Sequence, residues 1–72
     1  MVIEVMLGDP AHLYSGAAPA GAVAVGTIRD HDGREGALLR FKTGAYAQMT
    51  GDSIRALDRR EVLLAMSAAL AR

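Results

Sequence analysis

The chain opens on Val2-Ile3-Glu4-Val5-Met6-Leu7, where alternation puts Ile3, Val5 and Leu7 on one face and Val2, Glu4 and Met6 on the other. This pattern predicts a strand over residues 2–7. Gly8-Asp9-Pro10 closes it, because proline has no amide to give to a ladder and biases the residue before it toward extended backbone. Residues 8–22 then read as one long loop of small side chains, with Leu13 and Tyr14 its only large apolar anchors.

Strand character returns over residues 23–29, and the turn cluster from Asp30 to Gly36 contains the Asp-Gly hairpin signal. Further strands are predicted near 37–42 and 45–50. If Lys42-Thr43-Gly44 is a three-residue hairpin loop with Gly44 left-handed, Phe41 falls opposite Ala45, Arg40 opposite Tyr46, Leu39 opposite Ala47 and Leu38 opposite Gln48. The faces then separate. Leu39, Phe41, Ala45, Ala47 and Met49 line an apolar side, expected to be buried, and Leu38, Arg40, Tyr46 and Gln48 line a polar one.

Thr50-Gly51-Asp52-Ser53 is a turn, and Ile54 to Leu57 reads as a short strand or a single helical turn. Asp58-Arg59-Arg60-Glu61 fits a capping box, with Asp58 accepting from the third helical amide and Glu61 reaching back, so a helix is predicted over 59–71. The fold class that follows is α+β: a single domain, an antiparallel β-meander of three or four strands with one C-terminal helix packed on it. Its expected core is Ile3, Val5, Leu7, Leu39, Phe41, Met49, Ile54, Leu57, Leu63, Met66 and Leu70.

Composition narrows the class. Seventy-two residues, 51% of them hydrophobic, have material for one core, and with no cysteine the chain has neither disulfide framework nor thiolate metal site. A cytoplasmic setting is the expectation. Pro10 to Ile28 is uncharged and long enough to span a bilayer, but two prolines and three glycines make it a loop, and no basic residue precedes the first apolar run as in a secretory signal. No contact with membrane is expected.

Candidate chemistry is sparse. His31 between Asp30 and Asp32 suggests an acid–base or hard-metal site, yet neighbouring residues point apart on a strand, and turn preference alone accounts for both aspartates. His12 lies far away in the long loop. Ser53 after Gly51-Asp52 has no indicated base, and no lysine follows a glycine-rich loop into a helix. No catalytic residue, metal or cofactor is expected, and the chain is read as a non-enzyme. The stretch from Thr43 to Ala65 resembles short bacterial or prophage accessory proteins, a likeness that assigns no residue a role.

Charge adds one surface. The eight basic and eight acidic residues cancel, but residues 1–39 carry −3 and residues 40–72 carry +3. Arg40, Lys42, Tyr46, Gln48, Arg55, Arg59 and Arg60 form a candidate surface for a protein partner or, alternatively, for nucleic acid, with Tyr46 stacking on a base and the arginines on phosphates. Zero net charge favours the protein partner. The helix adds a second surface, because it is apolar almost all round. With Leu63, Met66 and Leu70 assigned to the sheet, Val62, Leu64, Ala65, Ala68 and Ala69 need another cover, and a homodimer is expected through them.

Overall fold

In the computed structural model, residues 4–8, 18–51 and 53–71 are described; Ile3, Leu13 and Tyr14 lie outside them. Five antiparallel strands follow one another across a single sheet: β1 (Glu4–Leu7), β2 (Ala22–Arg29), β3 (Glu35–Phe41), β4 (Tyr46–Thr50) and β5 (Ser53–Leu57). One helix, α1 (Arg59–Leu70), completes the α+β fold. The sequence pattern suggested three or four strands. The fifth is the segment from Ser53 to Leu57, which turns back on β4 with Thr50 opposite Ser53, Gln48 opposite Arg55 and Tyr46 opposite Leu57.

The central hairpin has the expected register. Phe41 and Ala45 close the loop through the Phe41 amide on the Ala45 carbonyl at 2.9 Å, and the Gly44 amide returns to the Phe41 carbonyl at 2.9 Å. Gly44 sits at φ 91°, a region that costs an L side chain energy and glycine almost nothing. The β2–β3 turn repeats this geometry. Asp30 donates its amide to Arg34 and accepts from Gly33, both at 3.0 Å, with Gly33 at φ 82°.

Both faces of the sheet are buried, which corrects the expectation of one apolar and one polar face. Val5, Ile28, Leu38 and Tyr46 pack with Val62 and Ala65 of the helix, joined by half-buried Val25, Leu57 and Met66. On the opposite side Ala37, Leu39, Ala47 and Met49 cluster with Ala18, Ala22, Ala24 and Phe41. A β-bulge in β2, where Ala24 pairs with Leu39 but Gly26 with Leu38, changes the parity of that strand. It sends Ala22 and Ala24 to the second cluster while Ile28 stays in the first.

The helix therefore covers the Leu38–Tyr46 face, the one that sequence alone marked polar, and lies chiefly against β1. Its inward residues are also corrected. Val62 and Ala65 are buried against the sheet, whereas Leu63 and Leu70 are exposed, as are Leu7 and Ile54. Small inward side chains let the helix settle close to strands that already supply Ile28, Leu38 and Tyr46 as bulk. Asp58 caps the helix as expected, but its carboxylate accepts from the Arg60 amide at 2.8 Å, one residue earlier than a capping box requires. Among the described residues no helix is long and apolar enough to cross a membrane.

Candidate functional surface

The basic cluster read from the sequence divides in three. Tyr46 and Gln48 are buried, so neither presents itself to a partner, and the stacking role assigned to Tyr46 is withdrawn. Arg55 is held by internal partners. Arg40, Lys42, Arg59 and Arg60 remain exposed, and the Arg59 side chain reaches the neighbourhood of Gly44 in the β3–β4 turn. That contact brings the turn bearing Lys42 beside the start of the helix. Positive charge is concentrated at this end of the molecule.

Arg55 belongs to a polar network that ties β4 and β5 to the β2–β3 turn. One of its terminal nitrogens donates to Asp30 Oδ2 and to Gln48 Oε1, each at 2.7 Å. Gln48 Nε2 donates in turn to the Arg34 carbonyl at 3.1 Å, and the amides of Asp32 and Arg34 donate to Asp30 Oδ1 at 2.9 and 3.0 Å. Burial of Asp30 works against its charge, but the two backbone donors and Arg55 outweigh it, so the carboxyl titrates below the usual aspartate range. Both carboxylate oxygens are therefore occupied. A depression of about 310 Å³ beside the network is lined by Arg34, Thr50 and Ser53 as well as its members.

His31 lies beside this network and lines, with Asp30, Arg55 and Glu61, a depression of about 260 Å³. Its Nε2 lies 3.5 Å from Asp32 Oδ1, both side chains being exposed, and no group of three metal-ligating side chains occurs among the described residues. His12 lies outside them. Nearby, Arg29 Nε donates to Glu35 at 3.0 Å across the β2–β3 pair, and this bond, with the charges of Glu35 and Glu4, raises the Arg29 guanidinium.

The outer face of α1 leaves three leucines open. Leu63, Leu64 and Leu70 are 39, 67 and 72% exposed, and Ala68 lies exposed beside them. A shallow depression of about 590 Å³ runs along this face past Asp58, Arg59, Arg60, Leu63, Leu64 and Ser67. Of the residues assigned to a dimer contact, Leu64 and Ala68 are where they were expected. Val62 and Ala65 turn to the sheet, and Ala69 is half-buried. Leu63 and Leu70 take their place outside. The sequence did hold a signal for this orientation, since Arg60 and Ser67, two polar positions of the helix, recur at i and i+7 and mark the solvent side.

No protein-family model matches the chain, and neither the curated proteins nor the solved structures contain a significant match.

Proposed function

We propose that the protein is a non-enzymatic interaction module of the cytoplasm, an accessory, inhibitory or regulatory chain that acts by protein contact through the outer face of α1. The observation that carries this reading is the run of exposed leucines on a helix whose opposite side already fills the core. Large apolar side chains gathered on one surface are worth more covered than wet, at roughly 25 cal/mol for each Å² removed from water. The non-enzymatic part rests on chemistry. Among the described residues the one buried carboxylate, Asp30, has both oxygens engaged, and the exposed His31 has Asp32 as its only ion-pair partner, a poor arrangement for a general base.

A second reading, nucleic-acid binding, draws support from the exposed Arg40, Lys42, Arg59 and Arg60 at one end of the molecule. It has lost its aromatic platform with the burial of Tyr46. Affinity capture from the native cell with the wild-type chain and with Leu64→Asp separates the two. Partners lost in the variant support the protein-contact reading. Partners retained by the variant, together with a gel shift that weakens steeply with salt, would replace it with the second.

A further inference from the structure

We infer that the outer edge of β5 takes an added antiparallel strand, an extended segment of another protein in which an acidic residue stands between two apolar ones. This surface is separate from the outer face of α1 and goes beyond the reading above. β5 ends the sheet, with β4 on one side and no described strand on the other, and four of its five residues are exposed. Thr50 stands opposite Ser53 across a two-residue turn, Gln48 opposite Arg55 and Tyr46 opposite Leu57. In such a hairpin the residues flanking the turn exchange both hydrogen bonds, and every second pair repeats them. The amides and carbonyls of Ile54 and Ala56 therefore point away from β4, and no other described backbone group meets them. Edges are commonly blunted by a proline, a bulge or a lysine, and β5 has none of these.

The two faces of the edge set the chemistry of the partner. Ile54 and Ala56 are exposed on the face of the second cluster, next to Met49 and Ala47 across the pair, and apolar side chains on the added strand would cover them. Arg55, between them, faces the other way, into the depression of about 310 Å³ that it shares with Arg34, Thr50 and Ser53. Asp30 and Gln48 engage one of its terminal nitrogens, which leaves the other N–H donors of the guanidinium open among the described residues. Two guanidiniums line this depression against the single carboxylate of Asp30. On an antiparallel neighbour, the residue opposite Arg55 falls at a pair without ladder bonds, where side chains come closest, and a carboxylate there meets the surplus charge. The same charge argues against a second copy. Pairing β5 with itself along its whole length sets Arg55 directly across from its own counterpart, and like charges so placed repel.

The probe is an end-capped, fluorescently labelled peptide Thr-Val-Glu-Val-Thr, titrated with the full chain and followed by fluorescence anisotropy. Backbone pairing at two outward residues makes a small contact, so the Kd should be on the order of 10⁻⁴ M. Replacing the peptide's glutamate with lysine should weaken binding roughly tenfold. Methylating the amide nitrogens of both valines, which face β5, should abolish binding, whereas methylating that of the glutamate, which faces outward, should leave most of it. On the protein, Ala56→Pro removes an outward amide and takes no bond from the β4 ladder, and it should weaken binding roughly tenfold, as should Arg34→Glu at its exposed position. A peptide that fails to bind at about 1 mM protein overturns the proposal. Equal binding by the valine-methylated peptide does so too, as does equal binding by Ala56→Pro with unchanged circular dichroism. A wild-type chain that sediments as a dimer, with the dimer lost in Ala56→Pro, replaces the partner strand by a second copy and also overturns it. Capture that depends on Leu64 while the peptide does not bind leaves the α1 reading standing without this one.

Discussion

Arg55 on β5 and Asp30 in the β2–β3 turn meet at 2.7 Å, although 25 positions separate them in sequence. The same guanidinium nitrogen holds Gln48 of β4, so one side chain ties the edge strand β5 to the β2–β3 hairpin across the intervening β4. Removing it by Arg55→Ala leaves Gln48 Oε1 and one oxygen of a buried carboxylate without their donor. The urea midpoint should fall, and by clearly more than for Arg40→Ala, whose guanidinium is exposed.

The depressed titration of Asp30 makes a pH prediction with a definite sign. Its folded value lies below the unfolded one, so the contribution is fully present above about pH 4, the range of free aspartate, and is lost as pH falls through the folded value. Acid denaturation followed by circular dichroism should show a shallower stability decline below about pH 4 for Asp30→Asn than for the wild type. Equal slopes would mean that other carboxylates dominate.

Gly36 is held by its neighbours. A Cβ built there would stand 2.6 Å from the Met49 carbonyl oxygen and 2.7 Å from Thr50 Oγ1, and backbone cannot move aside cheaply. Gly36→Ala should cost about 1–3 kcal/mol as an overpacked contact between β3 and β4, measured by equilibrium denaturation.

The two sides of α1 should respond differently to truncation. Val62 is wholly buried, and Val62→Ala should lose about 1.5 kcal/mol or somewhat more of transfer and packing energy. Leu64→Ala, measured where the chain is monomeric, should stay within about 0.5 kcal/mol of the wild type. A reversed ranking would place the helix the other way round.

What the sequence made legible was local. The Phe41–Ala45 hairpin was legible because a three-residue loop with a left-handed Gly44 sorts apolar from polar positions, whereas a two-residue loop at Thr43-Gly44 would mix them; the register holds although the face taken as polar is buried too. The burial of Leu38 and Tyr46 was not legible, since alternation suggests which residues share a face and says nothing of whether a second layer covers the other face. Gln48 looked like a surface residue because its partners, the Arg34 carbonyl and Arg55, are brought to it only by folding. The helix was read with the wrong side inward. The stripe Leu63, Met66 and Leu70 was assigned inward, whereas the space above β1 takes Val62 and Ala65, with Met66 half-buried beside them.

The succession of strands has a kinetic consequence. Every strand pairs with its neighbours in sequence, so the loops that must close to build the sheet are short, save for the one between β1 and β2. The seating of α1 on β1 joins the two extremes of the fold. The hairpins from β2 to β4 therefore carry little entropic cost and form an early nucleus, while the outer strand and the helix, each incomplete without the other, consolidate last. Amide exchange should be slowest in β3, paired on both sides, and fastest to open where β1 and α1 meet.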